Sequence, residues 1–306
     1  MKALRLFLGM LAGVGTGGAL CALVVFLCSG GSQDVAKLVV YPSLVVIPFL
    51  MGFVAAVVWR PLKLGVGATA LHTLLCTLLA ILGGWAVFHE GVICLLIVSP
   101  LLYVSLFAGA LVARVFFLNN RNKLHVFAVP AVLMLFAVGE PYVRSDRTAV
   151  ETDEILIHAP PEKVWPHVTE FPEIKDAPRF WLFNLGLPMP VATTKEGDFA
   201  GAPRRCIFSG GAVFSEKVAE IEPGKKLVFD IVEQPKDPEL VGHLTAQRGE
   251  FELQDNHDGT TTLKGSTWYA LHVRPLWYFD WWARYIFSAV HLRVMENVRE
   301  MSERGG

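Results

Sequence analysis

Charge is scarce in this chain. Of 306 residues only 18% are Asp, Glu, Lys or Arg, 53% are hydrophobic, and the mean hydropathy is +0.45. Soluble domains carry about 25% charged residues, so a protein that is water-soluble throughout is excluded and membrane spans are implied. Cysteine is scarce too. Four of the five cysteines (Cys21, Cys28, Cys76 and Cys94) lie in apolar runs, and only Cys206 lies beyond them. No CxxC occurs, which excludes a disulfide framework and a thiolate metal cluster; Cys206 is expected to be a small buried hydrophobe. HExxH, a nucleophile elbow and a phosphate-binding loop are also missing. The nine histidines are scattered without metal-ligand spacing, so no metal and no cofactor is expected. There is no internal repeat.

The charge that exists is uneven. Residues 1–140 hold eight Lys or Arg and three Asp or Glu, which leaves nineteen basic and twenty-five acidic residues beyond, a net charge of −6. An acidic C-terminal half argues against nucleic acid as a partner.

The apolar excess sits in five runs, residues 4–28, 38–59, 67–88, 92–118 and 124–138. The first four are about 20 residues or longer, enough to cross a bilayer as helices. The fifth is nearer about 15 residues, contains Pro130, and spans only with bilayer adjustment. Lys2 and Arg5 precede the first run as in a signal peptide, but the apolar stretch is too long and no prompt small-x-small cleavage site follows; a retained helix is expected. If the runs alternate, Lys2/Arg5, Arg60/Lys63 and Arg114/Arg121/Lys123 share one side, against Lys37 on the other. This bias places the N-terminus in the cytoplasm of a bacterial inner membrane; five spans then place the C-terminal half in the periplasm, whereas a fifth run that does not cross leaves it cytoplasmic.

Gly13 to Gly18 contains a formal GxGxxG, but it lies inside an apolar run without the strand a dinucleotide fold needs. Gly9, Gly13 and Gly17 instead line one helix face, where a neighbouring helix can approach. His72 is the only ionisable residue well inside a run. It is expected to be neutral and hydrogen-bonded to Thr69 or to hydroxyls on other helices.

Residues 141–148 read as a polar linker and residues 149–306 as one domain of ordinary size. In EILIHAPPEKVWPHVTEF, residues 154–171, a β-favouring stretch breaks at Pro160-Pro161. Val164, Trp165, Val168 and Phe171 then recur at helical spacing. Residues 180–190 are rich in large apolar side chains yet punctuated by Gly and Pro, as in a covering loop. Strands are expected at 204–209, 213–221, 226–232, 243–253 and 260–273, separated by turn signals such as Gly210-Gly211. Residues 276–301 read as one long amphipathic helix.

This order resembles the START-like, or SRPBCC, superfamily, which includes polyketide cyclases and lipid-transfer domains. The resemblance rests on ILIHAPPEKVW at 155–165, AEIEPGKKLVFDIVE at 219–233, RGEFEL at 248–253 with DGTTTLKGSTWY at 258–269, and the terminal helix. It covers about half the chain. It implies an α+β helix-grip fold, a curved antiparallel sheet gripping a long C-terminal helix, here following an all-α transmembrane bundle of about five helices. It also implies a cavity between sheet and helix.

Aromatic residues placed to line such a cavity are Trp165, Trp181, Phe183, Phe208, Phe229, Phe251, Trp268, Tyr269, Trp281 and Tyr285, although aromatic stripes also make ordinary core. Trp277 to Trp282 alternatively suit a bilayer interface. The polar candidates are His243, Arg248, His272 and His291, and nothing in the sequence ranks them. Arg204, Arg205, Glu216 and Glu250 are expected in solvated ion pairs. Three readings follow: a membrane-anchored domain that binds or transfers a hydrophobic, lipid-like ligand at the bilayer; a cyclase- or dehydratase-type enzyme acting on a polyketide-like or aromatic substrate; and a non-catalytic partner-binding protein.

Overall fold

The computed structural model describes residues 2–29, 33–88, 91–118, 148–237 and 243–304. It divides into two compact units, Met1–Ser145 and Asp146–Gly306.

The first unit contains helices α1 (Lys2–Ser29), α2 (Gln33–Trp59), α3 (Val66–Phe88) and α4 (Val92–Leu118). All four are long and apolar enough to cross a membrane. The fifth expected span, residues 124–138, and residues 141–147 of the expected linker lie outside the described residues. Glycines set the helix spacing. A Cβ at Gly13 would lie 2.8 Å from the Met51 carbonyl, and one at Gly52 or Gly109 would collide with the backbone of Leu106 or Phe49. Small residues therefore let α1 reach α2, and α2 reach α4, at backbone distance. Several polar groups in these helices bond to their own helix's backbone. Thr69, Thr73 and Thr77 each donate to the carbonyl four residues earlier. His72 does the same, with Nδ1 2.6 Å from the Ala68 carbonyl, rather than meeting Thr69 or a hydroxyl on another helix as expected.

The second unit is a seven-stranded antiparallel sheet of order β1-β7-β6-β5-β4-β3-β2. Its strands are β1 (Thr148–Ile157), β2 (Pro190–Lys195), β3 (Pro203–Phe208), β4 (Val213–Glu222), β5 (Lys226–Glu233), β6 (Leu244–Asp255) and β7 (Thr261–Leu271). Two short helices, α5 (Pro161–Thr169) and α6 (Trp181–Asn184), follow β1, and α7 (Leu276–Glu303) closes the chain. The sheet curls around α7. This is the helix-grip arrangement.

Local causes are plain. Pro160 and Pro161 end β1 and start α5, because proline cannot donate to the ladder but suits a first helical turn. Gly210 and Gly211, with φ of +72° and +81°, turn β3 back into β4 in a conformation that L side chains avoid. Two elements differ from expectation. β1 starts at Thr148 rather than near residue 155, because its inward Glu151 and Asp153 disguise the alternation of a half-buried strand. β2, an edge strand of small and polar residues, carries little apolar signal and falls where only loop is expected.

The core lies between the inner sheet face, α5 and α7. Ile157, Val164, Val168, Phe229, Phe251, Leu263, Met295 and Val298 form one buried cluster. The Phe229 ring lies directly over Gly249, so the glycine is needed for close approach. This end of the helix–sheet space is filled.

Candidate functional site

Two polar clusters occupy the inner face of the sheet, and an aromatic patch lies beside them. The first cluster joins the sheet to α7. Asp153 of β1 accepts Ser288 Oγ at 2.6 Å on one carboxylate oxygen and meets His291 Nδ1 at 2.8 Å on the other. His291 Nε2 lies 2.8 Å from Thr267 Oγ1 of β7. With its proton on Nδ1, His291 donates to Asp153, and Nε2 shares a hydrogen bond with the threonine hydroxyl. Burial pushes the Asp153 carboxyl up, but the hydrogen bonds from His291 and Ser288 outweigh it and hold the group below its ordinary value. Next to it, Arg284 pairs with Glu151 at 3.1 Å and with Asp280 at 3.0 Å, and Asp280 accepts the Tyr269 hydroxyl at 2.9 Å.

The second cluster crosses β3 and β4. Arg204 and Glu216 are cross-strand partners, both buried and ion-paired. The Arg204 guanidinium lies 4.5 Å from the centre of the Phe229 ring. Burial pushes Glu216 up, and Arg204 opposes that shift without cancelling it. Cys206, on the same face, has its thiol pushed up by burial and is a poor nucleophile. The expected solvated pairing of Arg204 and Glu216 is thus corrected. Strand alternation turns both inward, where only each other's charge compensates the loss of water.

The aromatic patch lies where α6 faces the first half of α7. Phe180 stands edge-on to Phe183 and to Tyr285, each at 5.0 Å, and Trp281 stacks on Tyr285 at 6.0 Å and stands edge-on to Trp282 at 4.9 Å. Much of it faces outward: Trp181 is 42% exposed, Trp281 59% and Tyr285 43%. Trp282 Nε1 is buried and has no hydrogen-bond partner among the described residues. A buried indole N–H normally finds an acceptor, so this donor sits unsatisfied beside an apolar surface.

The sequence candidates separate accordingly. Trp181, Phe183, Trp281 and Tyr285 belong to the patch. Phe229, Phe251 and Tyr269 are core, and Trp165 is half-buried against that core. Phe208 packs on Phe214 at 4.7 Å. Trp268 takes the opposite sheet face from Tyr269, since neighbours on a strand alternate. Of the polar candidates only His291 lies in the seam between α7 and the sheet. Arg248 pairs with Asp230 at 2.7 Å on the outer face, and His272 meets Thr245 at 2.8 Å in an exposed position. His243 contributes its backbone carbonyl to the His272 N–H at 2.9 Å. Asp153, Thr267 and Ser288 escaped sequence reading because each is an ordinary strand or helix residue until the fold brings them together. Among the described residues no group of three metal-ligating side chains converges.

No family model matches the chain, and no curated protein matches it. Solved structures resemble it in part. Norcoclaurine synthase from Thalictrum flavum, in complex with dopamine and hydroxybenzaldehyde, is 15% identical over 53% of this chain and 90% of its own, with a TM-score of 0.37. A protein from Nitrosospira multiformis is 16% identical over 50% of this chain and 94% of its own, with a TM-score of 0.35. One from Mesorhizobium loti is 19% identical over 52% and 99%, with a TM-score of 0.33.

Proposed function

We propose that the chain is a membrane-anchored helix-grip domain of the START-like type that binds or transfers a hydrophobic, lipid-like ligand at the bilayer. The observation that carries this reading is the exposed aromatic patch of α6 and α7 beside the unpartnered Trp282 Nε1. Aromatic faces take up alkyl chains or rings, and one indole donor orients a carbonyl or hydroxyl at the ligand's polar end. The anchor is supported by the four helices long and apolar enough to cross a membrane. The loop lysines and arginines fit an N-terminus in the cytoplasm of a bacterial inner membrane, and a fifth crossing at residues 124–138 would carry the domain to the periplasmic face.

Displacement of a fluorescent fatty acid from the full chain in detergent tests the reading. Trp281→Ala with Tyr285→Ala is expected to weaken binding by about tenfold, the scale of losing two stacked aromatic contacts. Equal binding by wild type and variant counts against it.

The second reading, an enzyme of the cyclase or dehydratase type, is favoured by one observation. Thr267, His291 and Asp153 form a hydroxyl–imidazole–carboxylate chain with both links at 2.8 Å. Both ring nitrogens are already engaged, so proton transfer to a substrate requires one bond to open. Turnover of an aromatic or polyketide-like substrate that His291→Gln abolishes while ligand affinity persists would support this second reading.

A further inference from the structure

The bundle of the first unit carries a separate feature, unrelated to the aromatic patch. The end of α2, the start of α3 and the end of α4 line a small, open pocket. Its lining includes Arg60, Lys63 and Arg114, with Trp59, Phe117 and Thr69 among the walls. Three cations therefore share one pocket, and no acidic side chain lines it among the described residues. None of the three makes an ion pair among the described residues; Arg60 only stacks over the Phe117 ring at 4.8 Å. Arg114 Nη1 is buried without a hydrogen-bond partner among the described residues. Asp34 lies near the far end of α2, 25 residues from Trp59, or roughly 37 Å along the helix.

A guanidinium nitrogen removed from water and left unpaired is unfavourable, and two further cations nearby raise the penalty. The arrangement becomes favourable when an anion enters. The planar Arg fork matches phosphate oxygens, and Lys adds a point charge. Apart from Thr69, whose hydroxyl donates to the Gly65 carbonyl, the remaining walls are apolar, which suits a ligand whose anionic group continues into hydrocarbon. The pocket is also at the right end of the bundle. Trp59 Nε1 donates to the Leu6 carbonyl at 3.0 Å, so the α2 terminus lies beside the basic start of α1. That is where a lipid phosphate would meet helices of this length.

We infer that this pocket binds the phosphate of an anionic phospholipid, with Arg114 as the inner contact and Arg60 and Lys63 at the mouth. Native mass spectrometry of the full chain in detergent tests it, with phosphatidylglycerol, phosphatidylcholine and inorganic phosphate added in separate arms. One phosphatidylglycerol is expected to be retained in preference to phosphatidylcholine, with apparent affinity falling about tenfold or more in Arg114→Gln. Arg60→Gln with Lys63→Gln, which changes exposed residues only, is expected to weaken retention as well. Lys2→Gln with Arg5→Gln, at the same end but outside the pocket, is expected to retain the lipid. Equal retention of both lipids, saturation by inorganic phosphate without lipid, or full retention by the Arg60/Lys63 variant would overturn the inference. So would a loss by the Lys2/Arg5 variant as large as that by the pocket variants.

Discussion

His291 of α7 and Asp153 of β1 meet at 2.8 Å across the seam between the long helix and the edge of the sheet. Ser288 and Thr267 complete the contact, so one carboxylate fixes the rotation of α7 on β1 and β7. A helix held only by apolar contacts can slide or roll; directional hydrogen bonds in a buried seam select one register.

Asp153→Asn is expected to destabilise the C-terminal unit by about 2 kcal/mol, the usual loss when buried charge-assisted hydrogen bonds are removed. The wild-type protein should show the matching pH dependence. The folded-state carboxyl titrates below its ordinary value. Its stabilisation is therefore present above the ordinary carboxylate value, near 4, and is lost as pH falls through the folded-state value. Urea unfolding of wild type and variant from pH 7 down to pH 3 checks both points. A difference that stays constant on acidification would show that Asp153 stabilises by packing alone.

The Arg204–Glu216 pair predicts non-additivity. Arg204→Met or Glu216→Leu alone should cost about 3–5 kcal/mol, because each leaves the other charge buried and unpaired. The double variant should be more stable than either single one. A double-mutant cycle by chemical denaturation reads this directly, and simple addition of the two losses would refute a coupled buried pair.

Gly249→Ala puts a methyl into the Phe229 ring that lies over it. The expected loss is about 1–3 kcal/mol from overpacking, and Phe229→Leu in the same chain should recover part of it. Thermal unfolding of the wild type, the single variant and the double variant provides the comparison.

Much of the fold is legible in the sequence because its signals are local. Pro160-Pro161, Gly210-Gly211 and the three-four spacing from Trp277 to Val298 each report backbone geometry through side-chain chemistry in one stretch. The site is less legible because it is assembled at long range. Asp153 and His291 are 138 residues apart, and Arg204 reads as an ordinary surface residue until its register with Glu216 is known. β2 is silent for another reason: an edge strand with half its surface in solvent needs little hydrophobic patterning. The aromatic candidates divide between core and patch, a distinction set by the position of α6 over α7 and not by residue type.

Trp181→Ala, alone, should leave stability within about 0.5 kcal/mol, as expected for a half-exposed position away from core and caps. It should nonetheless weaken fatty-acid binding. Stability and affinity falling together would assign Trp181 to packing instead.

On the proposed reading, the aromatic patch of α6 and α7 receives a lipid-like ligand. Photocrosslinking with a diazirine-bearing fatty acid on the full chain in detergent, followed by peptide mass mapping, locates that ligand. Adducts are predicted within residues 180–185 and 277–285, competed by unlabelled fatty acid and diminished in the Trp281/Tyr285 variant. Adducts confined to the four apolar helices, with none on α6 or α7, would contradict it.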